Sequence, residues 1–243
     1  MVEIGEGVFE TLRVVDSQPH AFTRHFERMA QGAKRLGMPL PIIDTVLNSL
    51  RAHLTENPVP FGRLRLTWAI TPTGAALSIA SEPTPPPASA VSLRTDDWRI
   101  DEHGPRAGIK STRYEGFAAA RLRAQAQGYD DALLANTADL LCETSTANIF
   151  YARDGVLFTP SPVTGCLPGI ARGLVLQRSA AHEIAASPTL LRNADEIFIT
   201  SSLRGVQPVH QIDDRTYSWP GPLTTAAAKS WAELFAETLD PLP

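Results

Sequence analysis

Ser81-Glu82-Pro83-Thr84-Pro85-Pro86-Pro87 divides the sequence in two. Four prolines in seven residues remove backbone donors and lock φ, so the stretch cannot continue a sheet or a helix. Its composition is that of a semi-rigid spacer. It marks a linker over residues 83–89, between a small N-terminal domain (1–82) and a larger C-terminal one (90–243). Just before it, residues 63–69 and 75–80 read as two strands joined by a turn around Thr71-Pro72-Thr73-Gly74. Further back lie helical patterns over residues 43–54 and 23–36. The latter has Phe26, Met29, Ala30, Ala33 and Leu36 at helical spacing and Gly37 as its stop. GVFETLRVVD (7–16) has strand composition and ends at the turn-like Asp16-Ser17-Gln18-Pro19.

Beyond the linker, strands are expected over 90–93, 131–135, 148–152, 156–159 and 196–200, with Asp154-Gly155 as a hairpin turn. Helices are expected over 116–127, from Gly169 to about 186, and over 224–239 as a closing amphipathic element. No internal repeat is visible. Strands interleaved with helices make the chain an α/β (α+β) protein.

The 243 residues are 43% hydrophobic and 20% charged, enough for a core and a cleft. A net charge of −4 gives no sign of a nucleic-acid partner, which usually needs a basic stripe and a high pI. No apolar run approaches the roughly 20 residues that cross a bilayer. The opening MVEIGEGVFETLR lacks a signal peptide's basic and apolar regions. Cys142 and Cys166 make neither a disulfide framework nor a metal spacing. A cytoplasmic protein with no metal, no nucleic acid and no membrane partner is the expectation.

Only three of the 22 basic residues are lysines: Lys34, Lys110 and Lys229. Lys34 and Lys229 fall on polar sides of expected helices. Lys110, in Gly108-Ile109-Lys110-Ser111-Thr112, has small and apolar neighbours. It reads either as a surface lysine or as an amine near a cleft, able to form a Schiff base. Glu143 lies between an apolar run and a strand, where a carboxylate is costly unless paired. It is either a turn glutamate or a carboxylate facing a pyridinium nitrogen, which would keep such a ring an electron sink. Leu167-Pro168-Gly169-Ile170-Ala171-Arg172-Gly173 turns into a helix whose free N–H groups suit a phosphate. Thr200-Ser201-Ser202-Leu203-Arg204-Gly205-Val206 is a polar turn that could complete an anion site. His25 and Arg28 share one helix face. Arg63 and Arg65 alternate with leucines, so both point to one side of a strand, as surface charge or as a carboxylate clamp.

Taken together, six segments resemble the class IV, fold type IV family of pyridoxal 5′-phosphate (PLP) enzymes. They are GEGVFETLRV (5–14), HFERMAQGAKRLG (25–37), IKSTRY (109–114), CETSTANIF (142–150), LPGIAR (167–172) and SSLRGVQPV (201–209). This family includes branched-chain and D-amino-acid aminotransferases and 4-amino-4-deoxychorismate lyases. The resemblance implies a D-amino-acid aminotransferase-like fold with PLP between two domains, in a homodimer. It makes Lys110 the lysine that holds the cofactor, Glu143 the partner of the ring nitrogen and Tyr114 a ring contact, these three being the catalytic set. Arg28, Gly169, Ile170, Ala171, Ser201 and Ser202 would surround the phosphate. Arg65, with Arg204, Tyr114 and Phe9, would meet an amino substrate through its carboxylate. Three departures stand out: only four residues precede Gly5, Glu6 stands where aspartate is common, and Thr71 to Gly74 replace a glycine-rich turn.

The activity implied is PLP-dependent elimination of pyruvate from 4-amino-4-deoxychorismate, giving 4-aminobenzoate for folate synthesis. GVFETLRV, the tyrosine four residues after the lysine, and SSLRGV resemble short bacterial lyase-like members; Thr11 stands where branched-chain enzymes carry glycine. The alternatives are an aminotransferase acting on branched-chain or D-amino acids, and a non-catalytic small-anion-binding protein on the same scaffold.

Overall fold

The computed structural model describes residues 5–236. They divide into two compact units, one of residues 5–86, 109–113 and 234–236, the other of residues 87–108 and 114–233. Among the described residues no helix is long and apolar enough to cross a membrane.

The first unit contains β1 (Gly7–Val15), β2 (Gln18–Pro19), α1 (Phe22–Arg35), α2 (Ile43–Glu56), β3 (Phe61–Thr71) and β4 (Gly74–Pro83). Its sheet runs β2-β1-β3-β4, every pair antiparallel. Strand alternation sends Val8, Leu12 and Val14 of β1 and Leu64 and Leu66 of β3 to one face. There they pack with Phe22, Met29 and Ala33 of α1 and Val46, Leu50 and Leu54 of α2. Two details depart from the sequence reading. Asp16 and Ser17 both take positive φ, 49° and 59°, as a tight two-residue hairpin requires, so Gln18 and Pro19 pair back onto β1. The strand before the linker also reaches Pro83, which an edge position tolerates because no neighbour needs its missing N–H.

Residues 109–113 follow the linker in sequence, yet they belong to the first unit. Their backbone partners lie on β1: the Phe9 N–H donates to the Lys110 carbonyl at 2.9 Å, and the Thr112 N–H to the Gly7 carbonyl at 2.8 Å.

Glu10 faces the core side of β1, opposite Leu66, and is fully buried. Two residues of α1 satisfy it. His25 Nδ1 lies 2.6 Å from its Oε2, and the Arg28 guanidinium donates to both oxygens, Nε to Oε1 at 2.8 Å and Nη2 to Oε2 at 2.5 Å. Burial would raise the Glu10 pKa, but Arg28 and then His25 outweigh it and hold the group at about 2. Burial lowers the His25 pKa despite the glutamate, so a neutral imidazole donates its Nδ1–H. The helix face shared by His25 and Arg28 is thus the one that docks α1 on β1.

The second unit adds β5 (Val91–Ile100), α3 (Glu115–Ala126), β6 (Asp131–Asn136), β7 (Leu141–Thr144), β8 (Asn148–Arg153), β9 (Val156–Pro160), α4 (Ile170–Arg178), β10 (His182–Ile184), β11 (Glu196–Ser201), β12 (Gly205–Ile212), β13 (Arg215–Thr216) and most of α5 (Pro222–Ala236). The sheet order is β10-β9-β8-β11-β12-β5-β6-β7, with β13 on β12. β8 and β11 are buried on both faces. Ile149, Tyr151, Ile197 and Ile199 pack on one side, while Phe150 and Phe198 stack 4.9 Å apart on the other with Val175 of α4.

The helix expected from Gly169 to about residue 186 stops at Arg178. Ser179 turns extended, and His182–Ile184 pair in parallel with β9, so sheet hydrogen bonds override the helical tendency of an alanine-rich run. The strand expected over 90–93 continues to Ile100 through an irregular step between Thr95 and Arg99. β7 and β12 were not legible as strands; β12 contains Pro208, a residue that argues against an interior strand. The closing helix begins at Pro222, and its expected last residues, like the four before Gly5, lie outside the described residues.

Leu64 is fully buried between Arg63 and Arg65, so Leu64→Ala should lower stability by about 2–5 kcal/mol, read as a fall in the urea midpoint. A second outcome concerns acid. Glu10 has a folded pKa below its unfolded value, so its contribution is full above about 4.5 and is lost as pH falls toward about 2. Glu10→Gln should be destabilised at neutral pH by about 3 kcal/mol and should show a flatter loss of stability across that acid window. Equal acid slopes in the two proteins would remove Glu10 from this role.

Candidate active site

In the first unit the site residues follow from the register of β1 on β3. Phe9 pairs with Thr67, Thr11 with Arg65 and Arg13 with Arg63, so these six side chains share the face opposite the core. The Arg65 guanidinium carbon lies 3.7 Å from the Phe9 ring centroid, and Lys110 Nζ lies 4.6 Å from the same centroid. One buried aromatic ring thus carries two cations, each drawn to its quadrupole. The other arginine of the pair expected on this strand, Arg63, reaches Glu82 at 2.9 Å near solvent. Lys110 is half-buried, whereas Lys34 is exposed and Lys229 is exposed beside Glu233. Arg28 is held by Glu10 on the core face of β1.

In the second unit Glu143 lies inside β7, not in a turn, and is only 6% exposed. Its Oε2 accepts from the Leu167 N–H at 3.2 Å and from Asn148 Nδ2 at 3.3 Å. Asn148 Nδ2 also donates to the Leu167 carbonyl at 2.8 Å. The two thiols nearby stay protonated: burial, followed by the Glu143 charge, raises Cys142 strongly and pushes Cys166 up to about 12. Tyr114 stacks on Phe117, with ring centroids 5.0 Å apart, and donates its hydroxyl to the Ser145 carbonyl. Burial and the charges of Glu143 and Asp131 raise the phenol, so it is a donor at neutral pH.

Gly169 precedes α4 as its N-cap and supplies no side-chain cap. A Cβ on Gly169 would lie 2.0 Å from Asn148 Oδ1, so glycine alone lets that amide rest against the helix start. Ile170 is half-buried and Ala171 is buried in the first turn of α4. Thr200 pairs with Asn148 across β11 and β8, which puts both side chains on one sheet face. Its hydroxyl is buried and has no hydrogen-bond partner. In the turn that follows, Ser201 and Ser202 are half-buried, and Ser201 Oγ accepts from the Arg204 N–H at 3.2 Å. The Arg204 side chain is turned to Thr146 Oγ1, at 2.5 Å, and Asp131 Oδ2, at 3.4 Å.

This donor set fits a phosphate-bearing cofactor with a basic ring. An uncapped helix start and an orphaned buried hydroxyl are groups that a phosphate satisfies, and Glu143 is a buried carboxylate of the kind that pairs with a basic ring nitrogen. Sequence reasoning missed Glu10, Asp131 and Asn148. Each is a buried polar residue in a strand or at its start, and only the partners brought from other elements distinguish it from an ordinary polar position.

The chain is 29% identical over 234 residues to a candidate branched-chain-amino-acid aminotransferase of Methanocaldococcus jannaschii, covering 87% of this chain and 80% of that protein. It is 29% identical over 244 residues to the D-alanine aminotransferase of Bacillus licheniformis, covering 91% of this chain and 85% of that one. Among solved structures, a candidate 4-amino-4-deoxychorismate lyase of Legionella pneumophila superposes with a TM-score of 0.89 at 27% identity, covering 96% of this chain and 91% of that one. The amino-transferase class IV family itself matches over residues 7–212, and the chain therefore belongs to that family of PLP-dependent enzymes, in its fold type IV architecture.

Proposed function

We propose that the protein is a PLP-dependent 4-amino-4-deoxychorismate lyase that eliminates pyruvate and leaves 4-aminobenzoate. The observation that carries this reading is the Phe9 ring with Arg65 and Lys110 upon it. A guanidinium and a reactive amine beside one ring suit a substrate whose carboxylate is gripped while a proton is moved nearby. The same strand face carries Thr11 and Arg13, polar and basic neighbours that suit a dicarboxylate better than an aliphatic side chain.

In this reading Lys110 holds the cofactor and its Nζ takes the proton from the substrate carbon that bears the amine. PLP, when bound, supplies the electron sink that stabilises charge at that carbon. Glu143, steadied by the Leu167 N–H and Asn148, holds a proton at the ring nitrogen. The protonated phenol of Tyr114, held by the Ser145 carbonyl, would contact the ring. Arg28, made rigid by Glu10, would offer the phosphate a positive charge, and Gly169, Ile170, Ala171, Ser201 and Ser202 would offer it N–H and hydroxyl donors.

A second reading, an aminotransferase for branched-chain or D-amino acids, is favoured by the names of the two relatives at 29% identity. The discriminating experiment supplies 4-amino-4-deoxychorismate alone, then a panel of D- and L-amino acids with a keto acid. Equal release of pyruvate and 4-aminobenzoate supports the lyase. Amino-group transfer without either product moves the assignment to the second reading.

Lys110→Ala should lose the visible absorbance of the bound cofactor and about 10³-fold or more of the turnover. A borohydride-fixed pyridoxyl label found on Lys34 or Lys229 would overturn the assignment. Arg65→Ala should cut kcat/KM by about 10- to 100-fold with cofactor absorbance intact, while Arg63→Ala should stay near wild type, since Arg63 is engaged by Glu82. The reverse pattern in steady-state kinetics would move the carboxylate contact to Arg63.

A further inference from the structure

Asp131 opens β6 and is fully buried. Its carboxylate accepts hydrogen bonds from the hydroxyls of Thr144, at 3.0 Å, Ser145 and Thr146, and from the Ala132 N–H at 2.9 Å. Thr144 ends β7, which carries Glu143, and Ser145 and Thr146 lie in the turn that leads to β8, which carries Asn148. The Arg204 guanidinium joins the same cluster through Thr146 Oγ1 and through Asp131 itself. Arg204 also donates its N–H, at 3.2 Å, and its Nε, at 3.5 Å, to Ser201 Oγ. One buried carboxylate therefore ties the 144–147 turn to the 201–205 turn.

The link has a directional consequence. With its oxygen accepting from Arg204, the Ser201 hydroxyl has its hydrogen left to donate. A serine so arranged presents a donor to an anion, and Asp131 keeps the guanidinium that arranges it from swinging into solvent. An unsupported guanidinium in this place, 21% exposed, would have many rotamers.

We propose that Asp131 and Arg204 are positioning residues for an anion site at the 200–205 turn, acting through Ser201, with Arg204 serving the cofactor phosphate rather than a substrate carboxylate. This role rests on the PLP reading above. Its distinguishing consequence is that losing the link weakens the grip on phosphate and leaves the grip on the rest of the cofactor alone.

The test titrates cofactor-free protein with PLP and with pyridoxal, which lacks the phosphate, following intrinsic fluorescence. Wild type should prefer PLP. In Asp131→Asn and Arg204→Met that preference should fall about tenfold, with pyridoxal affinity unchanged, and the double variant should lose no more than the worse single one, because both act on one link. Should Asp131→Asn fail to fold, Arg204→Met and Thr146→Val test the same link. An unchanged preference in these variants, or an equal loss for both ligands, overturns the positioning role while leaving the PLP reading in place. A wild-type protein with no preference for PLP overturns both.

Discussion

The hydrogen bond from the Phe9 N–H to the Lys110 carbonyl is the constraint on which the proposed chemistry depends. Residues 109–113 are too short to form structure alone, and they are ordered by lending their backbone to β1. That pairing brings the lysine amine to the Phe9 ring, and the register of β1 on β3 brings Arg65 to the same ring from the other side of the sequence. A shift of one residue in the β1–β3 register would turn Arg65 into the core and Leu64 or Leu66 out of it. The hydrophobic face built by Val8, Leu12, Leu64 and Leu66 therefore also sets the position of the cations.

Buried carboxylates organise both units, each with full satisfaction from a different part of the chain. Glu10 binds β1 to α1 through His25 and Arg28. Asp131 gathers the 144–147 turn and Arg204. Glu196 accepts from the N–H groups of Leu223 and Thr224 and from the Thr224 hydroxyl, and so holds the start of α5. A buried charge left without such partners would cost several kcal/mol, so each one admits few alternative packings. Glu143 differs in kind. It accepts on Oε2 from two amides of neighbouring segments, the Asn148 side chain and the Leu167 N–H, where the other three carboxylates bind hydroxyls or a charged group.

The same logic separates residues that look equivalent in sequence. Arg63 and Arg65 are two apart on one strand, but Glu82 stands across from the first and the Phe9 ring beneath the second. Lys34, Lys110 and Lys229 are all lysines, but only Lys110 is drawn out of solvent by backbone pairing on both sides of it. Ser201 and Thr200 are adjacent hydroxyls, one engaged by Arg204 and the other buried without a partner.

Local pattern was enough for the strand at GVFETLRV, for α1 with its stop at Gly37 (φ 66°), for the β3–β4 hairpin and for the tight turn at Asp154-Gly155. These are set by alternation, helical spacing and glycine's freedom at positive φ, all of which act within a few residues. The six motifs in order were enough for the family, because a fold type is carried by many spaced positions at once. Sequence alone did not end α4 at Arg178, did not show β7 or β12, and gave no sign that Glu10 or Asp131 was buried. Each of those outcomes depends on a partner far away in the chain. β10 needs β9, Glu10 needs α1, and Asp131 needs Arg204, 73 residues on. A hydrogen bond or ion pair between distant segments leaves no periodic trace in either segment, so only the folded chain reveals which polar residues are solvated and which are held.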